Sequence, residues 1–500
     1  MHKLISVQQM READVDCLKT KNIASVDLME KAACSFIGVF CGLVPNRSQS
    51  ILILCGTGNN GGDGLAIARL LQCTGYSGVR VLIIATGEKK SPDFLINLQR
   101  LETSPVVIDY FNDGDEHKIK ETVVIDAILG SGVNRPLVGV LKTLVDALNQ
   151  LQKHVIAVDC PTGFPCEGEL KEEETILKAS DVISFQRPKL NFFFPESGNY
   201  LERFHVVDIG LREEFIESLH ADFYLIGPKD ISKIYKKRRA FSHKGTYGHA
   251  FIWAGSKGKS GAALLCAEAC VYSGAGLTSV CLPGKDRLAL YNRVPEAMFK
   301  PNIDDISNKN QHDQSKLAAV AIGPGLKDTG ILYEIKEVLK AVNVPLVIDA
   351  EGLNYLAKFP ESFNRFRSRT VILTPHMKEF DRLFGESTSW WDRVQLAIQK
   401  AREYEFTIVL KNQYTFIVLP DRRVLINPTG NPAMASGGMG DVLTGIIVSF
   451  LAQGYNAEEA CVLACYLHGK AGDLLAASGN AIIPASQLIA KLPFVIGEIE

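Results

Sequence analysis

At roughly 100–200 residues per domain, 500 residues predict two to four domains, and 46% hydrophobic with 22% charged residues excludes a disordered or collagen-like chain. A formal charge of −2 leaves no global basic field to hold a phosphate backbone by counterion release, so nucleic acid is not an expected partner. The start Met1-His2-Lys3-Leu4-Ile5-Ser6-Val7 has no apolar signal core and the run Val442 to Leu451 is too short to cross a bilayer, which predicts a cytoplasmic protein without a membrane partner. The 12 cysteines lie scattered in apolar runs (Cys266, Cys270, Cys461, Cys465) without a Cys-x-x-Cys pair and read as reduced core thiols.

Apolar runs of strand length alternate with helical stretches through the first half: Ile51 to Cys55, Val79 to Ala85, Val106 to Tyr110, Val123 to Ala127, Val155 to Asp159, Val182 to Phe185 and Phe204 to Ile209. Such alternation predicts a parallel sheet with helices on both faces, a Rossmann-like three-layer sandwich. Near Gly210 to Gly227 the chain turns helical and acidic. The basic run Lys236-Lys237-Arg238-Arg239, which reads as a solvated or phosphate-facing edge, precedes a fresh α/β series. Its strands are expected at Ala250 to Ala254, Leu277 to Leu282, Leu317 to Ile322, Leu346 to Asp349, Val371 to Thr374, Thr407 to Leu410 and Phe416 to Leu419. Two doubly wound α/β domains follow, over residues 1–218 and 225–500.

The segment Leu54-Cys55-Gly56-Thr57-Gly58-Asn59-Asn60-Gly61-Gly62-Asp63-Gly64 is a strand, a glycine turn and a helix start. Small residues there let backbone approach a phosphate, and the helix N-terminus offers free N–H groups. Glycine alone is a weak signal, because any tight strand-to-helix turn uses it. Asn59, Asn60 and Asp63 strengthen it by placing side-chain oxygens beside the expected anion, as a hard cation requires. Two more strands end in a carboxylate and then glycine: Asp126 before Gly130-Ser131-Gly132, and Asp159 before Pro161-Thr162-Gly163. Either aspartate alone could be a helix cap, but in a doubly wound sheet both strand ends converge near Asn60. Lys189 reads either as a counter-charge at this site or as a solvated lysine.

Far downstream, Gly437-Gly438-Met439-Gly440-Asp441 opens an apolar helix. Its turn N–H groups and the helix dipole form an anion hole, and Asp441 stands where it can take a proton from an attacking hydroxyl. The bland alternative is an aspartate capping a structural turn. Gly325 in Ile322-Gly323-Pro324-Gly325, His376 in Thr374-Pro375-His376, and the turn Lys411-Asn412-Gln413-Tyr414-Thr415 each follow a strand and form one rim. His376 is either a satisfied structural histidine or a cleft residue. No Walker A motif and no protein-kinase glycine loop is present.

These motifs carry two resemblances. Asn59 to Gly64, Asp126 with Gly130 and Gly132, and Asp159-x-Pro161-x-Gly163 resemble the NAD(P)H-hydrate epimerase domain over about residues 1 to 215. The resemblance implies nucleotide contacts from Asn59, Asn60, Gly61, Gly62 and Asp63 and from Gly130, Ser131, Gly132, Val133, Asn134, Arg135 and Pro136. It further implies substrate contact and catalysis by Asp159, and a potassium ion on Asn60, Asp126 and Thr162. Threonine stands at 162 where the family usually has serine, and Pro165-Cys166-Glu167 departs from the family's loop. His243-Lys244-Gly245-x-x-Gly248, Thr374-Pro375-His376-x-x-Glu379-Phe380 and Gly438-x-Gly440-Asp441 resemble the ribokinase-like ADP- or ATP-dependent NAD(P)H-hydrate dehydratases over about residues 225 to 495. That likeness implies a hydrated nicotinamide near Ala263, Gly325, His376 and Asp441. It places an adenine nucleotide along Lys411 to Thr415 and along Asn431 to Gly440, a stretch that includes Gly437, Gly438 and Met439.

Together they imply a bifunctional repair enzyme that interconverts the R and S hydrates of NADH or NADPH and dehydrates the S form with ADP and Mg²⁺, as a homo-oligomer. The rivals are a kinase of a small vitamin-precursor alcohol and a non-catalytic, nucleotide-binding N-terminal module.

Overall fold

The computed structural model describes residues 1–85, 89–132, 135–171, 173–301, 303, 317–327 and 331–499. They divide into two compact units: Lys3–Ala221 with Ser389–Trp391, and Met1–His2 with Asp222–Thr388 and Asp392–Glu500.

The first unit is built on seven strands, β1 (Ser50–Cys55), β2 (Gly78–Ile83), β3 (Val107–Tyr110), β4 (Val123–Ala127), β5 (His154–Val158), β6 (Ala179–Phe185) and β7 (Leu201–Val207), in the order β3-β2-β1-β4-β5-β6-β7. Every neighbouring pair is parallel. Parallel strands covered on both faces lose their alternation, which is why Ile51 to Cys55 and Val123 to Ala127 are buried without interruption. From β1 the sheet grows outward in one direction to β2 and β3, and from β4 in the other. The crevice for a ligand therefore opens beyond the carboxyl ends of β1 and β4. Glycine is compulsory where the chain turns there. A methyl group built on Gly56 would stand 2.1 Å from the Ile128 carbonyl oxygen, and one on Gly61 1.8 Å from that of Gly56.

From Phe223 on, the second unit's strands are β8 (Phe223–Leu225), β9 (His249–Trp253), β10 (Leu277–Cys281), β11 (Met298–Lys300), β12 (Ala319–Ile322), β13 (Leu346–Ile348), β14 (Val371–Leu373), β15 (Thr407–Leu410), β16 (Thr415–Val418) and β17 (Val424–Asn427). They run β8-β17-β16-β15-β14-β13-β12-β9-β10-β11. Pairing is parallel from β15 to β11 and between β17 and β8, and antiparallel across β15, β16 and β17. The seven strands expected in each half are present. Those missed from Phe223 on, β8, β11 and β17, are three or four residues long and too short to show a period. The apolar run from Val442 lies in the helix Met439–Ala452, whose residues from Val442 onward are all buried. It crosses the helix Ser260–Tyr272 so closely that a methyl on Gly445 would reach 2.2 Å from the Cys266 carbonyl oxygen. Among the described residues no helix is long and apolar enough to cross a membrane.

Gly323, at the end of β12, has φ +127°, and a methyl there would stand 1.7 Å from the Asp349 carbonyl oxygen. Both obstacles are backbone. Gly323→Ala is expected to cost at least about 1–3 kcal/mol, seen as a midpoint lowered by roughly 2–4 °C per kcal/mol in thermal unfolding.

Candidate active sites

In the first unit a cavity of about 1060 Å³ opens where β1 and β4 end. The predicted residues Asn59, Asn60, Asp63, Gly130, Ser131, Gly132, Arg135, Pro136 and Asp159 line it. Gly61 and Gly62 lie in the first turn of the helix Asn59–Cys73 and are themselves buried. Val133 and Asn134 fall outside the described residues.

Asp159 has φ +63°, a left-handed conformation that costs a non-glycine residue energy and recurs at active sites. One carboxylate oxygen holds it there: Oδ1 accepts from Phe185 N (3.1 Å) and Ser184 Oγ (3.3 Å) and pairs with Lys189 Nζ at 2.7 Å. Oδ2 has no protein partner among the described residues. Lys189 is not solvated, being 7% exposed. Burial alone would lower its pKa, but the Asp159 carboxylate, then Cys166 and Cys160, more than offset that and raise it above the ordinary lysine value.

Asp126 lies deeper, fully buried, and does not line the cavity. Its Oδ2 accepts from Thr162 N (2.7 Å), and its Oδ1 accepts from Thr162 Oγ1 (2.7 Å) and Ile128 N (3.2 Å). Burial, eased in part by the Thr162 and Ile128 bonds, pushes its pKa to about 6. Asn60 leans over Gly130, where a methyl would stand 3.0 Å from its Oδ1, and its Nδ2 is buried without a hydrogen-bond partner. Asn60 Oδ1, the Asp126 carboxylate and the Thr162 hydroxyl are oxygen donors of the type a hard cation takes, whereas the orphaned Asn60 Nδ2 is a hydrogen-bond donor and not a ligand.

Sequence reasoning missed Arg11 and Asp14, which the helix Val7–Lys21 contributes to the cavity wall. Burial raises the Asp14 pKa to about 6, Asp159 adds to the rise and Lys189 opposes it. Asp63 is pushed well above the carboxylate range, by burial first and then by Asp159, Asp14 and Asp93. Nothing in a 15-residue helix tells which of its polar residues faces a distant strand end.

In the second unit Gly438, with φ +93°, caps the helix Met439–Ala452, placing Asp441 in its first turn. Beneath it is a carboxylate that sequence reasoning placed only at a strand end. Asp349, 2% exposed, pairs through Oδ1 with Lys411 Nζ at 2.9 Å, and its Oδ2 accepts from Thr444 Oγ1 at 2.9 Å. Asp349 thus ties the Lys411 turn to the Asp441 helix, and a methyl on Gly440 would stand 3.3 Å from Lys411 Nζ. Burial, then the Asp349 charge, opposed by Lys411, pushes Asp441 to about 6. Burial would lower Lys411, but Asp349 and then Glu379 outweigh it and leave the ammonium above its ordinary value.

The rim residues assemble around this pair. Lys411 bridges His376 in parallel and donates its N–H to the Pro375 carbonyl at 2.9 Å. The His376 ring caps its own helix, Met377–Phe384, accepting from Glu379 N at 3.3 Å, with the outer part of the ring exposed. Gly325, φ +62°, accepts from Ser256 Oγ at 2.8 Å and presses on Lys259 and Ala262. Ala263 is buried in the core beneath Gly255. Asn412 holds a buried Nδ2 without a partner, while Gln413 and Tyr414 complete the turn into Thr415 and Gly430 comes up against the Gln413 carbonyl. Gly437 is open to added volume, with nothing within 4 Å. His468, on the helix Ala457–Ala477, also went unnoticed in the sequence. Burial, partly opposed by a hydrogen bond to the Met439 backbone and reinforced by Lys411, lowers it to about 4, and its Nε2 lacks a partner.

The second unit, with its left-handed glycine cap, an ionisable aspartate in the following turn and a lysine beside it, is a ribokinase-like domain. The first unit is a parallel-sheet domain with a cavity at its switch point lined by three carboxylates and three basic side chains. Residues 250–493 match the family described as NAD(P)H-hydrate dehydratase, and residues 25–191 that described as YjeF-related protein N-terminus. The bifunctional NAD(P)H-hydrate repair enzyme Nnr of Moorella thermoacetica is 33% identical, covering 99% of this chain and 97% of its own. The enzyme of the same name from Vibrio cholerae is 32% identical, covering 97% of each. A crystal structure of a ribokinase-like superfamily protein from Enterococcus faecalis, 28% identical, covers 56% of this chain and 98% of its own, with a TM-score of 0.50. The chain belongs to the family of bifunctional NAD(P)H-hydrate repair enzymes.

Proposed function

We propose that residues 1–218 epimerise the R and S hydrates of NADH and NADPH, and that residues 225–500 dehydrate the S form at the expense of ADP, giving AMP and phosphate. The single observation that carries this reading is the Asp441–Lys411–Asp349 arrangement beneath a glycine-capped helix. Asp441 takes the proton of the substrate hydroxyl, whose oxygen attacks the terminal phosphoryl group of ADP. The Gly437 to Gly440 turn and Lys411 hold the charge that develops. The phosphate ester then leaves with its C–O electron pair, a ring proton is lost and the double bond returns. His376 and Gly325 would bound the nicotinamide, and Asn412 with its neighbours to Thr415 the adenine nucleotide.

Mg²⁺ would supply charge neutralisation to the nucleotide and arrive on its phosphates. No group of three or more His, Cys, Asp or Glu side chains suited to a metal ion occurs among the described residues. In the first unit Asn60, Asp126 and Thr162 would hold potassium, which would supply fixed positive charge beneath the nucleotide loop. Replacing potassium with a bulky organic cation is expected to slow R-to-S exchange and leave S-epimer repair unchanged. Equal rates would remove the ion from the site. Kinship further implies a homo-oligomer, to be measured by light scattering, and the twelve free thiols are in keeping with a cytoplasmic setting.

The test is recovery of dihydronicotinamide absorbance when the protein meets mixed hydrate epimers, Mg²⁺, potassium and either ADP or ATP. Full recovery with one nucleotide identifies the phosphoryl donor and both activities. Recovery that stops at the S fraction would refute the epimerase assignment, and no recovery at all would favour a small-alcohol kinase.

A further inference from the structure

The Asp159–Lys189 pair accounts for one proton-transfer group, but inversion of a carbinol carbon needs two. Dihydronicotinamide is an enamine, so water adds with its hydroxyl on the carbon bonded to the ring nitrogen. To invert that carbon, the C–O bond breaks with its electron pair leaving on oxygen, and the nitrogen lone pair closes a C=N⁺ bond. A water then adds to the opposite face and the nitrogen recovers its pair. One group must protonate the departing hydroxyl and another must deprotonate the incoming water.

We propose that Asp14, carried by the helix Val7–Lys21 into the cavity that holds Asp159 and Lys189, is the second acid–base residue of the epimerase reaction. In the R-to-S direction Asp14 gives its proton to the departing hydroxyl and the free oxygen of Asp159 takes one from the incoming water. In the reverse direction the roles exchange, and solvent in the open cavity returns the proton between turnovers. The inference rests on the epimerase reading of the first unit.

Three observations support it. First, Asp14 lines the cavity, half-buried, and makes no hydrogen bond or ion pair among the described residues, so its carboxyl is uncommitted. Second, the cavity gathers three carboxylates. Asp63 from the helix Asn59–Cys73 and Asp159 beyond β5 face Asp14, against Lys189 beyond β6, Arg135 beyond β4 and Arg11 on its own helix. Lys189 is already paired with Asp159 at 2.7 Å. Burial first, and then the neighbouring carboxylates, disfavour the ionised forms of Asp14 and Asp63. Third, Asp14 and Asp159 come from different elements, one a helix and the other a strand end.

The test measures R-to-S exchange on the full chain, with the hydrate epimers separated chromatographically, beside S-epimer repair in the same preparation. Asp14→Asn is expected to slow exchange roughly 10²–10⁴-fold while S-epimer repair stays within twofold and the hydrate still binds the first domain. The fall in R-to-S exchange as the pH rises through about 6, where Asp14 loses the proton it must donate, should vanish, and Asp14→Glu should restore part of the rate. Exchange in Asp14→Asn within threefold of the unsubstituted protein, with the same pH profile, would overturn the proposal. So would loss of hydrate binding in both Asp14→Asn and Asp14→Glu, since Asp14 would then serve only the structure. If the unsubstituted protein exchanges no R epimer, the epimerase reading itself fails, and that outcome is distinguishable from the other two.

Discussion

Asp441→Asn is expected to abolish repair of both epimers, with nucleotide-dependent recovery falling by roughly 10²–10⁴-fold, the span lost when a positioned base is removed. The amide keeps the shape of the side chain but cannot accept the hydroxyl proton. Folding should not suffer. Burial and the neighbouring Asp349 charge already disfavour the ionised form, and an amide removes that strain. An unchanged or raised thermal midpoint would therefore accompany the loss of activity. The same pKa predicts the pH dependence of the parent protein. A base must be deprotonated to act, and Asp441 is protonated below about pH 6, so kcat/KM should fall about tenfold per unit below that value. Retained nucleotide-dependent turnover in Asp441→Asn would sink the mechanism, and the vitamin-alcohol kinase would not replace it, because it needs the same base.

Asp159→Asn should stop conversion of R to S while repair of the S epimer survives. The plateau of absorbance recovery would then move from the whole mixture to the S fraction alone. A module that only binds nucleotide would tolerate the change. Stability must be measured beside activity, because the substitution leaves the 7%-exposed Lys189 ammonium without its 2.7 Å partner. Breaking a buried ion pair from one side costs about 3–5 kcal/mol. The double variant Asp159→Asn with Lys189→Met removes the lone charge. If it folds and still exchanges no R epimer, the loss belongs to chemistry. Exchange in the double variant at the parent rate would take Asp159 out of the reaction.

Local chemistry made much of the site legible. The Gly56 to Gly64 turn is visible because close backbone approach admits only glycine at Gly56 and Gly61. The strand ends at Asp126, Asp159 and Asp349 are visible because a carboxylate interrupts an apolar run just where a parallel strand must stop. Their division of labour is not visible. Asp126 turned inward to Thr162 and Asp159 outward to the cavity, although both follow apolar runs, of three residues and four. His376 illustrates the limit from another side. Its place after a strand is local, whereas its ring's engagement with Glu379 N depends on how the next helix starts.

The sequence by itself determined the two parallel-sheet domains, the glycine turns and the position of Asp441, since each depends on contacts or dihedral angles within a few residues. Tertiary structure alone decided that Asp14 and Arg11 enter the first cavity, that Lys411 and Thr444 share Asp349, and that His468 reaches the Met439 turn. Those groups lie tens of residues from their partners. A helix exposes several faces that its own sequence does not rank, and only packing against the sheet selects the one that meets the strand ends.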